Sequence, residues 1–99
     1  MKKAVFVKDV SRRFYGMYEV YKLTKPLKNQ EGNKQYKHVV VSAVSDLTSG
    51  PETCILGADK NGVIKDDEVL DGSYSGGLDI RQALENAGYK VVKKETVKQ

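Results

Sequence analysis

The residue types most often used for catalysis are scarce in this chain, which has one histidine, His38, and one cysteine, Cys54. A nucleophilic cysteine needs a nearby base, and a zinc ion needs a set of His, Cys or carboxylate ligands at recognisable spacings. Neither pattern occurs in the sequence. His38 precedes a run of three valines, which is typical of a packed or rim histidine, and Cys54 in Thr-Cys-Ile-Leu is typical of a buried structural thiol. The sequence therefore predicts no catalytic residue, no metal site and no cofactor, and a protein that is not an enzyme.

A glycine-rich loop, residues 72–77, precedes the clearest helix signal and could hold an anion on its backbone amides. The loop matches neither of the glycine patterns that bind dinucleotides or nucleotide phosphates. Asp71 and Asp79 flank it, and their charges would repel the same anion. A turn with unusual backbone angles is the favoured interpretation, and binding of a small anion or nucleotide is kept as an alternative. The residues of that alternative site are Ser73, Ser75, Gly76 and Gly77.

Basic and aromatic residues are interleaved between positions 12 and 18, as they are in platforms that bind single-stranded nucleic acid. The segment departs from the RNA-recognition signature at several positions, including Phe14 where that signature has glycine. Tyrosines on a strand with two covered faces are usually core residues. Nucleic-acid binding is therefore kept as an alternative to the binding of a protein partner. The candidate contact residues are Arg12, Arg13, Tyr15, Lys22, Lys25 and Lys28.

Two acidic stretches lie in the second half of the chain. Residues 59–62, Asp-Lys-Asn-Gly, begin like a calcium loop, but the glycine stands at position 4 rather than 6 and Leu70 replaces the closing acid. The Asn-Gly pair predicts a turn. Asp66, Asp67 and Glu68 are predicted to be solvated surface, because no second acidic group stands at a metal-binding spacing. Neither stretch predicts a metal site.

One short helix is predicted at about residues 80–87. Asp79 can cap its first turn, Gln82 can reach back in a capping box, and Gly88 can end it with a left-handed backbone. A helix of roughly eight residues is unstable alone, since isolated helices need about 12 to 15 residues. It therefore needs a sheet beneath its apolar stripe. The stripe consists of Ile80, Ala83, Leu84 and Ala87.

The remaining pattern predicts strands joined by short turns, and hence mostly antiparallel pairing. The valine run 39–41 predicts a central strand covered on both faces, and residues 25–35 predict a polar loop. Because one short helix cannot cover both faces of such a sheet, we predict a curled sheet of five to six strands in a single α+β domain, residues 1–99. The predicted strands are 4–7, 15–23, 38–44, 52–58 with a short continuation at 63–64, and 89–92.

Charge is segregated along the chain, whose formal net charge is +4. Residues 1–45 carry a net +7, residues 46–85 a net −6, and residues 86–99 a net +3. Such opposed regions attract a second copy or a partner with the reverse pattern, so a homodimer is one prediction. No apolar run approaches the roughly 18 residues of a membrane span, and Lys8 and Asp9 interrupt the N-terminal apolar run. We therefore expect a cytoplasmic protein that does not bind membranes.

Turn and strand signals stand together in six short segments, residues 40–43, 51–55, 58–62, 72–77, 84 and 87–91. Together these segments resemble small uncharacterised proteins of phages and prophages, over about the second two thirds of the chain. The resemblance implies a viral context, where small accessory proteins bind and block host factors, and so a location in the host cytoplasm. The leading hypothesis is a non-enzymatic, phage-type accessory protein that binds a host or phage protein, with inhibition of that protein as one outcome.

Overall fold

The structure, a computed structural model, describes residues 2–11, 16–46, 50–70 and 79–93. Its strands form one six-stranded sheet in the order β5-β4-β3-β2-β1-β6. All neighbours are antiparallel except β1 and β6, which are parallel. This is the α+β fold that the sequence predicts. The elements are β1 (Lys3–Asp9), β2 (Met17–Lys28), β3 (Gln35–Asp46), β4 (Gly50–Ala58), β5 (Ile64–Val69), α1 (Ile80–Asn86) and β6 (Lys90–Val92).

Strand β3 lies in the middle of the sheet and is covered on both faces, as its valine run predicts. Side chains alternate between the two faces of a strand. Val39 and Val41 accordingly belong to the apolar cluster on the helix side, and Val40 to a second cluster on the opposite side. All three valines are fully buried. The sheet thus has two cores, a larger one under α1 and a smaller one behind it.

The larger core forms where α1 lies on the sheet. Ile80, Ala83 and Leu84 of the predicted stripe are buried there. Asp79 is the N-cap, and its Oδ1 accepts a hydrogen bond from the backbone N–H of Gln82 at 3.0 Å. The Gln82 side chain donates to Asn86 instead of reaching back, so only half of the predicted capping box forms.

The smaller core is covered by the turn that follows β4. Oδ1 of Asp59 accepts hydrogen bonds from the backbone N–H groups of Asn61 and Val63, which fixes the turn predicted at residues 59–62. Gly62, with φ of +87°, lies directly against Val20. A Cβ at this glycine would stand 2.8 Å from a Val20 methyl carbon. The turn therefore packs on the sheet only because a glycine occupies that position.

Three irregularities in strand pairing bend the sheet. They fall between Phe6 and Lys8 of β1, between Lys22 and Leu27 of β2, and in the pairing of β4 with β5 around Gly57. Bulges of this kind bend a strand and increase its twist. The helix covers part of one face of this bent sheet, and the turn after β4 covers part of the other.

Some predicted boundaries were wrong. The polar loop predicted at 25–35 is limited to residues 29–34, because β2 continues to Lys28 and β3 begins at Gln35. Pro26 is tolerated in β2 because it lies in the irregular stretch, where a ladder N–H is not needed. Strand β5 runs from Ile64 to Val69, so it is longer than the predicted strand 63–64 and includes the acidic residues 66–68. Cys54 was predicted to be buried and is half-buried.

Candidate functional site

A pocket of about 230 Å³ opens on the helix side of the sheet, where the first turn of α1 meets β2. Its apolar lining comes from Met17, Tyr21 and Ile80. Ile80 and Tyr21 belong to the core, whereas the Met17 side chain is 47% exposed. An exposed methionine is a flexible, polarizable contact surface. The pocket thus has the exposed Met17 side chain at its opening, here called the rim. Its base is formed by buried core residues.

Glu19 supplies the polar floor of this pocket. It lies two residues before Tyr21 on β2, so the two side chains share a face. The Tyr21 hydroxyl donates to Glu19 Oε1 at 2.7 Å. Lys93, just after β6, places its Nζ 3.4 Å from the same oxygen and 3.5 Å from Oε2. The Glu19 side chain is only 16% exposed, so its charge sits in a partly dry site.

Tyr21 holds its proton firmly. Burial raises the pKa of its hydroxyl far above the usual range for tyrosine, and the hydrogen bond to Glu19 and the charge of Glu19 act in the same direction. Arg81 lowers that pKa by a smaller effect. The Tyr21 hydroxyl is therefore a permanent donor that orients the carboxylate, and it does not act as a base near neutral pH.

Two further charges stand at the mouth of the pocket. Asp79 and Arg81 both line it, and both residues are exposed. Together with Glu19 and Lys93 they give two negative and two positive groups. The charges balance, but they differ in depth, because Glu19 alone among the four is largely shielded from solvent.

The size of the pocket limits what it can hold. Pockets for drug-sized ligands and cofactors are about 300–1,000 Å³. A volume of about 230 Å³ is below that range. It suits one amino-acid side chain better than a nucleotide, and an apolar rim around a charged floor suits a long side chain with a polar end.

Of the candidate binding residues singled out from the sequence, the structure describes only the three lysines of β2, and these three do not form one site. Lys22, Lys25 and Lys28 are all exposed on β2, but six residues of strand separate the first from the last by about 20 Å. Lys25 lies in the irregular stretch, where its carbonyl oxygen accepts a hydrogen bond from Tyr89. The other predicted residues, Arg12, Arg13, Tyr15, Ser73, Ser75, Gly76 and Gly77, lie outside the described residues.

Lys22 instead belongs to a basic group on the face opposite α1. It pairs with His38 across β2 and β3. Burial lowers the pKa of His38, and the positive charge of Lys22 lowers it further, with smaller contributions from Lys60 and Lys37 and an opposing one from Asp59. His38 thus lies near the positive charges of Lys22 and Lys60 and the negative charge of Asp59.

His38 and Cys54 lie on the same face but do not meet. Cys54 pairs with Ser42, four residues along β3 from His38, a separation of about 13 Å. Burial raises the pKa of the Cys54 thiol, and Glu52 raises it further, so the thiol is a weak nucleophile. Across residues 2–11, 16–46, 50–70 and 79–93, no three His, Cys, Asp or Glu side chains are grouped so as to hold a metal ion.

Comparisons with known proteins give no relative. No protein-family model matches the chain, and no curated protein or solved structure is significantly similar to it. The resemblance to phage and prophage proteins therefore stays a prediction. Within the described part of the chain, no helix is long and apolar enough to cross a membrane.

Sequence reasoning missed the pocket because its parts are far apart in the chain. Lys93 is 74 residues from Glu19. One local signal was available: Glu19 stands between Met17 and Tyr21 on a face that the alternation assigns to the core. A charged residue on the core face of a strand is unusual enough to mark a site.

Proposed function

We propose that this chain is a non-enzymatic accessory protein of phage type that binds a host or phage protein in the host cytoplasm. The observation that carries the proposal is the pocket at Glu19, which is large enough for one side chain of a partner. In protein interfaces, a few buried anchor residues that fill such pockets supply most of the binding energy. The phage context rests on the resemblance in sequence alone.

The surroundings of the pocket support a protein partner. Met17 is the exposed apolar residue at its rim, and methionine is enriched in protein interfaces. Arg81 and Asp79 are exposed beside it and can pair with polar groups around an anchor. The Tyr21 hydroxyl donates to the Glu19 carboxylate and so holds it in place to bind a partner.

The proposal is tested by capturing a partner from bacterial lysate and asking whether the capture depends on the pocket. Met17→Trp fills the rim, and Val63→Trp is the matched control, because Val63 is 49% exposed and lies in the turn on the opposite face. The expected result is a captured protein that survives nuclease, is lost with Met17→Trp and is kept with Val63→Trp. Equal capture by both variants contradicts the proposal.

Nucleic-acid binding is the second candidate, and two exposed lysines near His38, Lys22 and Lys60, favour it. Exposed cations that neutralise phosphates give binding that weakens steeply with salt. If this candidate is right, capture is lost on nuclease treatment, and Lys22→Glu weakens it while Met17→Trp does not. The third candidate, an anion site at residues 72–77, lies outside the described residues and stays a prediction.

A further inference from the structure

We propose that the Glu19 pocket receives an arginine side chain of the partner, with Glu19 as the group that binds the guanidinium. This inference rests on the proposed protein-binding function and specifies the chemistry of the anchor. Arginine is enriched among the anchors of protein interfaces. Three observations on the pocket carry the inference.

The first observation is the unused capacity of the Glu19 carboxylate. An ionised carboxylate can accept about four hydrogen bonds and can bind a guanidinium through both oxygens. Here Oε1 accepts one short hydrogen bond, from Tyr21 at 2.7 Å, and Lys93 makes only the long contacts of 3.4 and 3.5 Å. Charge-assisted N–H···O bonds are usually about 2.7–2.9 Å. A bidentate partner would therefore bind this carboxylate better than Lys93 does.

The second observation is the position of the Lys93 ammonium, which marks where a cation can lie. Nζ stands beside the Glu19 carboxylate and 5.2 Å from the centre of the Phe6 ring. A carboxylate and an aromatic face together form a cation-binding arrangement, and a planar guanidinium stacks on such a ring better than an ammonium does. The Lys93 side chain is 49% exposed, so it can move away from Glu19 with little loss of binding free energy. Lys93 then acts as a built-in competitor of the incoming arginine.

The third observation is the depth of the charges. Glu19 is 16% exposed, whereas Asp79 and Arg81 lie at the exposed mouth, where water and salt screen them. An anion that enters the pocket approaches the shielded negative charge of Glu19. A cation that enters is attracted by the Glu19 carboxylate. The negative charge of Asp79 offsets the repulsion between that cation and Arg81. The floor of the pocket, and not its mouth, selects the sign of the ligand.

Nuclear magnetic resonance titration of the whole isotopically labelled chain with three blocked amino acids tests the inference. The probes are N-acetyl-arginine amide, N-acetyl-lysine amide and N-acetyl-aspartate amide, at low salt. The arginine probe should shift the backbone resonances of Met17, Glu19 and Arg81 with a Kd on the order of 1 to 10 mM, as expected for one side chain. The lysine probe should bind more weakly, and the aspartate probe should not bind at the pocket.

Two substitutions should change the affinity for the arginine probe in opposite directions. Lys93→Met removes the competitor and should tighten arginine binding about two- to fivefold, the range expected from an exposed ion pair. Lys90→Met, at an exposed position of β6 three residues before Lys93, removes one charge as a matched control and should change the affinity little. Glu19→Gln keeps an acceptor for the Tyr21 hydroxyl and should abolish the shifts.

The outcomes separate this inference from the proposed function. Preference for the aspartate probe, or weaker arginine binding in the Lys93→Met variant, overturns the arginine assignment and leaves protein binding in place. Shifts from none of the probes also overturn it. The proposed function fails separately, when capture of a partner is indifferent to Met17→Trp. Even if Glu19→Gln does not fold, the direction in which Lys93→Met changes the arginine affinity decides between the arginine assignment and its rejection.

Discussion

The hydroxyl of Tyr21 donates to Oε1 of Glu19 at 2.7 Å, two residues away on the same strand. The Tyr21 residue is fully buried in the larger core, where its ring meets Phe6 edge to face at 5.7 Å. The floor of the pocket is therefore held by a side chain that the core itself fixes. This link preorganises Glu19, which reduces the entropy cost of binding a partner.

Alkaline pH should destabilise the protein through Tyr21. Its pKa in the folded protein is raised far above the value of about 10 expected in the unfolded chain. Protonated Tyr21 therefore contributes its full stabilisation to the folded protein below about pH 10. As pH rises above that value, the free energy of unfolding should fall by up to about 1.4 kcal/mol per pH unit. Urea denaturation between about pH 8 and 11 measures this fall.

The Tyr21→Phe variant is the control for this pH dependence. It should lose about 1 to 2 kcal/mol at neutral pH, because a hydrogen bond to a charged group disappears. Above about pH 10 its stability should fall less steeply than that of the wild type. Burial also raises the pKa of Tyr89, which remains in both proteins. Parallel curves for the two proteins would show that Tyr21 is not the group responsible.

The turn over the smaller core should not tolerate a Cβ at Gly62. Gly62→Ala combines a left-handed backbone, φ of +87°, with a contact of 2.8 Å to Val20. Gly32→Ala is the matched control, with φ of +77° and open space around the new methyl group. The control should cost about 1 to 2 kcal/mol from the backbone alone, and Gly62→Ala should cost about 1 to 3 kcal/mol more. Equal losses on chemical denaturation would mean that the turn is not packed on the sheet.

Leu84 should be the residue of α1 that contributes most to its docking. It is fully buried in the larger core. Leu84→Ala should lower the free energy of unfolding by about 2 to 5 kcal/mol, as truncation of a buried leucine does. Glu85→Ala, at an exposed position of the same helix, should change it by less than about 0.5 kcal/mol. A loss below about 0.5 kcal/mol for Leu84→Ala would contradict the packing of α1.

The segregation of charge along the sequence bears on self-association. Strand β5 belongs to the acidic region of the chain and forms one edge of the sheet, and β6 belongs to the basic C-terminal region and forms the other edge. Regions of opposite charge can attract a second copy. Light scattering at about 50 and 500 mM salt should show a dimer that dissociates at high salt, where the Debye length is well below 10 Å. A mass of 11.0 kDa at both concentrations would rule out the predicted homodimer.

The parts of the structure that the sequence predicts well are those set by neighbouring residues. The stripe and cap of α1, the turn after β4 and the doubly covered strand β3 follow from local patterns. The length of β5 does not, because its acidic residues have low strand propensity and the strand depends on pairing with β4 at Ile64 and Val69. The pocket does not either, since its floor depends on Lys93 and Glu19 being brought together by the parallel pairing of β6 with β1.

Site-specific photo-crosslinking tests the central claim most directly. A diazirine amino acid of about the size of methionine at position 17 places a reactive group at the rim without filling the pocket, and the same group at position 63 lies on the opposite face with nearly equal exposure. In nuclease-treated bacterial lysate, we expect a discrete protein adduct from position 17 that Glu19→Gln weakens, and no such adduct from position 63. The same adduct from both positions, or from position 63 alone, would contradict a partner that binds through the pocket at Glu19.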